Sequence, residues 1–204
     1  MFITFEGIDG CGKSTQARLL AEHLLGLGRQ VVSTREPGGT ILAEEVRELL
    51  LSAREHEEVA PRAELLLFAA SRAQHVQALI RPALERGCWV LCDRFTDSTL
   101  AYQSAGLGLD ESFVRALNGF ATAGLAPGLT LLFDVPVELA QQRRAQERAH
   151  SDRIESRGLG FQERVRQAFL EQAAREPARI VVMDAAPGVP EVHEQVLAAV
   201  GVAA

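Results

Sequence analysis

The sequence predicts an α/β fold, a three-layer α/β/α sandwich around a mostly five-stranded parallel sheet. Two observations carry that reading. Short apolar runs alternate with longer stretches of helical periodicity along the chain. A glycine-rich turn also joins the first apolar run to the first helical stretch, as strand–loop–helix units do. A length of 204 residues suits one domain, 1–204, carrying at most a small appendage.

Residues 1–5 read as the first buried strand. Ala17, Leu20, Leu24 and Leu27 recur at helical spacing over 13–27, and Gly28 is the stop signal. β-branched residues mark 30–34 as a second strand, and the loop 35–40 leads into a helix over about 42–51. Pro61 opens the next helix, whose apolar face carries Leu65, Phe68, Ala69, Val76 and Ile80. Pro82 is expected to kink or break it and leave 82–86 as a short separate helix. Residues 88–92 form the third strand, with Asp93 at its carboxyl end. Helical patterns run to about 123, followed by a strand at 129–135, a helix at 137–148 and a polar, arginine-rich loop at 150–160. A helix over about 161–174, a strand at 179–183 and a last helix near 190–200 complete the chain. Repeats and low-complexity tracts are absent.

Lys+Arg 21 against Asp+Glu 27 gives a net charge of −6, which argues against a broad nucleic-acid surface while leaving room for a local basic pocket. Cys11, Cys88 and Cys92 make an odd number with no framework spacing, so a reducing compartment is expected, with Cys88 and Cys92 acting as small buried hydrophobes. The first ten residues lack the features of a signal peptide, and no apolar run approaches the ~20 residues of a membrane span. A cytoplasmic protein without membrane or nucleic-acid partners is expected.

Gly7-Ile8-Asp9-Gly10-Cys11-Gly12-Lys13-Ser14 matches the phosphate-binding P-loop pattern, with Thr15 after it. Glycines let the backbone wrap and aim N–H groups at phosphate oxygens, and the following helix adds the positive end of its dipole. Lys13 supplies a full charge between terminal phosphates, and the Ser14 hydroxyl can ligate Mg²⁺. Switches, motors and kinases share this loop. A GTPase would also show an N-K-x-D motif, which is missing. A second phosphate site would single out a kinase. Arg35 and Arg94 lie at predicted strand ends, where the loops of a doubly wound sheet converge, and Arg72 lies on the third helix. Taken singly, each reads more readily as a surface arginine, but together, at predicted strand ends, they point to function.

The segments FEGIDGCGKST (5–15), TREPGGT (34–40), LLFAASRAQH (66–75), LCDRFTDSTLAYQ (91–103) and DRIESRG (152–158) occur in order, and together they resemble thymidylate kinase. The resemblance implies a nucleoside-monophosphate-kinase-like fold with a short lid at about 143–160. It also implies ATP and dTMP as substrates, Mg²⁺, and a homodimer formed through helices on one face. Residues 7–15 would hold ATP. Asp9 would accept the sugar 3′-hydroxyl, Arg35 and Arg94 would bind the dTMP phosphate, and Asp93 would support Mg²⁺ with Ser14. Phe68 would stack on thymine, and Arg72, Thr99 and Gln103 would address its polar edge. Tyr102 would stand where a ribose 2′-hydroxyl would be. Without the resemblance, Phe68 and Tyr102 fit core packing equally well, and Asp134 competes with Asp93.

Arg143, Arg144, Arg148, Arg153 and Arg157, interleaved with Glu147, Asp152 and Glu155, read either as a solvated helix end or as a lid that brings arginine to the γ-phosphate. Within the family, one group places an arginine at the position of Gly10. The other has glycine there and puts its basic residues in the lid, which is the pattern here. Arg153 is then the expected catalytic contact, with Arg148 and Arg157 as further candidates, beside Lys13, Arg94 and Asp9. Phe95 departs from the tyrosine many relatives carry after Asp-Arg. The expected reaction is in-line phosphoryl transfer from ATP to dTMP. The alternatives are a kinase for another nucleoside monophosphate and a nucleotide-dependent switch ATPase.

Overall fold

A computed structural model describes residues 1–52, 58–147, 153–154 and 157–202. Strands β1 (Phe2–Glu6), β2 (Val31–Arg35), β3 (Trp89–Asp93), β4 (Leu129–Asp134) and β5 (Ile180–Asp184) form one sheet in the order β2-β3-β1-β4-β5. Every pairing is parallel. All of β1 and all but the last residue of β4 are buried, as a parallel sheet covered on both faces requires. The period of two divides the core cleanly at β3. Leu91 joins the cluster containing Ile3, Phe5 and Leu131, whereas Val90 and Cys92 join Val76, Ile80 and Phe95 on the opposite face. Cys88 and Cys92 are buried free thiols in that second cluster, as their apolar run suggests.

The helices are α1 (Lys13–Gly26), α2 (Ile41–Leu51), α3 (Pro61–His75), α4 (Arg81–Glu85), α5 (Thr96–Thr99), α6 (Glu111–Thr122), α7 (Val137–Glu147), α8 (Leu159–Arg175) and α9 (Val189–Val200). α1 packs beside α9, while α2, α3 and α6 lie side by side. None is long and apolar enough to cross a membrane among the described residues.

The short helix expected at 82–86 is present as α4, but it is not separate from α3. The helix does not break before Pro82, because α3 runs through a π turn at Val76–Ile80 straight into α4. Arg81 donates its N–H to the Val76 carbonyl, five residues back. The wider turn moves the carbonyl ladder away from the proline ring and absorbs its missing donor. A second π turn, Leu100–Gly106, continues α5 and carries the Tyr102 and Gln103 side chains.

Chain order places β1 centrally. The chain leaves it for β2 and β3 on one side, then crosses to β4 and β5 on the other. The loops after β1 and β3 therefore open at the same carboxyl edge, at the reversal point where doubly wound sheets bind ligands. Leu131, fully buried in β4, is central to that arrangement. Leu131→Ala is expected to cost about 2–5 kcal/mol, read as a lower urea midpoint with an unchanged slope.

Candidate functional site

The glycine loop is built around close backbone approach. Gly7 has φ 134°, and a Cβ on it would lie 2.5 Å from the Phe133 carbonyl oxygen. At Gly10 (φ 85°) a Cβ would lie 2.3 Å from the Ala140 oxygen and 2.8 Å from Arg144 Cγ. Helix α7 thus occupies the space a side chain at position 10 would fill. Gly12 caps α1 without a side-chain hydrogen bond, and the first turn of α1 carries no acid, so its amides face the loop uncapped. Lys13 Nζ lies at the loop's centre, donating to the Gly7 (3.1 Å) and Ile8 (2.9 Å) carbonyls.

Arg94 reaches the same loop from β3. Register pairs Phe5 with Asp93, and the Arg94 amide donates to the Phe5 carbonyl at 3.0 Å. Its φ of 70° is left-handed, a conformation that costs a non-glycine residue about 1–3 kcal/mol unless its surroundings impose it. Buried Glu6 imposes it: Glu6 Oε1 accepts from the Phe95 and Ser98 amides (2.7 and 3.3 Å), and Oε2 bonds the Ser98 hydroxyl (2.5 Å). Arg94 Nη1 then donates to Ser98 Oγ and the Gly7 carbonyl, both at 3.0 Å, and Nη2 to Asp9 Oδ1 at 2.6 Å. The Tyr102 hydroxyl closes the set, 3.2 Å from both Arg94 Nη2 and Asp9 Oδ2. Burial alone would raise the Asp9 carboxyl, but Arg94 and then Lys13 outweigh it and hold the group well below the usual carboxylate range. Burial, reinforced by Asp97, pushes Glu6 up to about 8 against the hydrogen bonds it accepts.

These groups open on a cleft of about 460 Å³. It gathers the phosphate-loop residues Asp9, Gly10, Gly12, Lys13, Ser14 and Thr15 with Arg35, Phe68, Arg72, Asp93, Arg94, Thr99, Tyr102 and Gln103. Gly7, Ile8 and Cys11 support the loop from behind; Ile8 and Cys11 are buried. Phe68 is half-buried, packed on the core along one side and lining the cleft along the other. Thr99 Oγ1 is buried at the cleft wall with no hydrogen-bond partner among the described residues. Arg35 is half-exposed and bonded to Glu44 (2.8 Å). Arg72 is only 1 % exposed, and its guanidinium donates to Glu36 (2.7 Å), Asn118 (2.7 Å) and the Phe95 carbonyl (3.1 Å). Any ligand contact from Arg72 therefore uses the remaining N–H groups.

The two carboxylates at strand ends separate clearly. Asp134 is bidentate with Arg166 (2.7 and 3.0 Å), whereas Asp93 accepts the Ser14 hydroxyl at 2.6 Å beside the phosphate loop. Ser14 and Asp93 offer hard oxygen donors, and the described residues hold no cluster of three or more ligating side chains. Such a partial set suits Mg²⁺, which usually completes its octahedron with phosphates and waters.

The thymidylate kinase family model matches residues 5–196. The chain belongs to the thymidylate kinase family. It is 46% identical over 201 residues to thymidylate kinase of Syntrophus aciditrophicus (strain SB), covering 96% of this chain and 91% of that one. Thymidylate kinase of Exiguobacterium sp. is 51% identical over 97% of this chain and 92% of its own. The crystal structure of thymidylate kinase from Ehrlichia chaffeensis superposes with a TM-score of 0.80 at 38% identity, over 98% of each chain.

Some residues at this family site carry no sequence signal that sets them apart. Arg47 also lines the cleft, as do Arg144 and Ile154 from the segments the sequence singled out, and Glu36 holds Arg72 from beneath while Glu6 braces Arg94 through Ser98. Arg153 does not line the cleft. Its Nε donates to the Leu50 carbonyl (2.9 Å) and its Nη2 to Glu64 (2.7 Å). Arg148, Asp152 and Glu155, and the side chain of Glu147, lie outside the described residues.

Glu6 yields a pH prediction. Its folded-state pKa lies above the ordinary 4.5, so the folded chain binds this proton more tightly than the unfolded one. The group's contribution to stability therefore falls as pH rises from about 4.5 to about 8, by at most about 1.4 kcal/mol per pH unit. Glu6→Gln imitates the protonated form, and its stability relative to the parent is expected to improve across that window. Parallel stability curves from denaturant titrations at pH 5, 6.5 and 8 would exclude this.

Proposed function

We propose that this chain transfers the γ-phosphoryl group of ATP directly to dTMP, giving dTDP and ADP on the route to dTTP for DNA replication. The observation that supports it is one cleft with two anion grips, backbone amides and Lys13 on one side and the Arg94 and Arg35 guanidiniums on the other. A phosphate oxygen of dTMP is already a nucleophile, so no covalent enzyme intermediate is needed. Catalysis then rests on positioning and on charge neutralisation by groups held in place beforehand.

In this reading Gly7–Thr15 cradle the ATP phosphates, while Arg35 and Arg94 hold the acceptor phosphate. Asp9 stays ionised beside Arg94, and so remains an acceptor for the sugar 3′-hydroxyl. Phe68 stacks on the base, the orphan Thr99 hydroxyl and Gln103 meet its polar edge with Arg72 behind them, and Tyr102 crowds the 2′ position. Ser14 and Asp93 would hold Mg²⁺, which neutralises charge on the phosphates when bound. Of the described arginines in 143–160, Arg144 is the one that lines the cleft, against Gly10 and near Asp9. Arg153, the residue expected from sequence to touch the transferring phosphate, would have to leave Glu64 to do so.

We place this reaction in a single cytoplasmic domain, 1–204, with 143–160 as its lid, and in a homodimer. The adjoining helices α2, α3 and α6 expose Leu42, Leu49, Leu66, Phe113 and Phe120, the last 84 % accessible, which fits a second copy of the chain.

ADP release should require dTMP in a panel with dUMP, dCMP, dGMP and AMP, and no turnover with millimolar dTMP would overturn the assignment. Lys13→Ala should lower kcat by about 10²–10³-fold with little change in the KM for dTMP. Sedimentation should give a dimer that Phe120→Asp converts to monomer, and a monomeric parent chain would remove the dimer.

A further inference from the structure

Glu64 sits in the first turn of α3 with no solvent exposure, although a carboxylate near a helix N-terminus needs no burial to be stable there. Four donors converge on it from two distant parts of the chain. Arg157 is bidentate, Nη1 to Oε1 at 3.2 Å and Nη2 to Oε2 at 2.6 Å. Arg153 Nη2 reaches Oε2 at 2.7 Å, and the Gln103 side-chain amide reaches Oε1 at 2.9 Å. Burial disfavours the charge, but the hydrogen bonds from Arg157, Gln103 and Arg153 outweigh it and keep the carboxyl ionised below its ordinary range. The stretch it holds is also bonded to the carboxyl end of α2, Arg153 N–H to the Leu51 carbonyl and Nε to the Leu50 carbonyl. Those are helix-end carbonyls without partners inside α2. Ile154, between the two arginines, is 7 % exposed and lines the cleft with Leu51 and Phe68.

We propose that Glu64 is a positioning residue for the monophosphate end of the cleft. By gathering Arg153 and Arg157 on one carboxylate it presses Ile154 into the wall next to Phe68. The same carboxylate fixes the Gln103 amide with its N–H toward Glu64, which turns the Gln103 carbonyl oxygen away from it. An ionised carboxylate only accepts, so this orientation follows from its charge. Glu64 touches no reacting atom, and its effect reaches substrate only through Ile154 and Gln103. The kinetic consequence rests on the dTMP-kinase reading, but the pinning itself does not.

Glu64→Gln and Arg157→Ala test it, the latter because Arg157 meets Gln103 only through the shared Glu64 oxygen among the hydrogen bonds of the described residues and is partly exposed, so it spares the buried face of α3. Each should raise the KM for dTMP about tenfold while changing kcat and the KM for ATP far less. The double variant should be no worse than Glu64→Gln alone, since both remove one interaction. Native tryptic cleavage after Arg153 should also quicken about tenfold in either variant, a readout independent of turnover. A KM for dTMP within twofold of the parent in folded Arg157→Ala overturns the proposal, as does a double variant whose loss is the product of the singles. Parent protein that releases no ADP with dTMP would sink the kinase reading, and proteolysis would still decide the pinning.

Discussion

The position of the Arg94 guanidinium is the constraint on which the site depends. Parallel pairing of β1 with β3 brings the end of one strand beside the start of the phosphate loop. That alone would leave a flexible side chain free to swing. The left-handed backbone at Arg94, imposed by Glu6 through the Phe95 and Ser98 amides, turns it toward Gly7. Ser98 links the two halves, since its hydroxyl bonds Glu6 and accepts from Arg94. A chain of short contacts thus runs from the buried end of β1 to the mouth of the cleft. The desolvation of Arg94 is met in the folded chain by Asp9, Tyr102 and two backbone or hydroxyl oxygens, so in the proposed reaction an arriving phosphate would meet a cation already fixed in place.

The same logic extends outward. Glu36 holds Arg72 and His75, Asp97 holds Arg179 with Thr130, and Glu64 holds Arg153 and Arg157. Each carboxylate is almost wholly buried, and each joins elements far apart in sequence. A buried carboxylate is tolerable only when its lone pairs are filled, and arginine fills several with one fixed fork. The Glu36–Arg72 pair lines the cleft itself, where a loose joint would blur the geometry of two meeting phosphates.

What could be read from sequence follows from range. All five strands, the phosphate loop and the arginines at strand ends rest on patterns of a few residues, and the structure places them where those patterns lead. Pro82 misled because a local rule, proline breaks a helix, met a tertiary remedy, the π turn that packs Val76 and Ile80 into the core. Of the buried glutamates, Glu64 gave no usable signal. Glu64 looks like an ordinary first-turn acid, and its partners Gln103, Arg153 and Arg157 are 39, 89 and 93 residues away. Glu6 left a faint one, a charge closing a strand of apolar residues, which only a buried donor set could explain. Asp93 and Asp134 were equivalent as strand-end acids until Arg166 was seen to occupy the second.

The basic side chains divide in a way that supports two separate tasks. Lys13 is the only lysine in the sequence, so every other cation among the 21 is an arginine. Arginine's planar fork suits joints, and Arg72, Arg94, Arg157 and Arg179 each bridge two or more oxygens or carry a bidentate pair. An ammonium is a compact point charge on a flexible stem, poor at bridging but able to follow a moving group. Lys13 already spans two loop carbonyls and the Cys11 sulfur within a buried turn. A phosphoryl group in flight between two anions needs a charge that can shift with it, inside a frame that cannot. In the proposed reaction the single lysine would stand where that movement occurs, with arginines holding the frame around it.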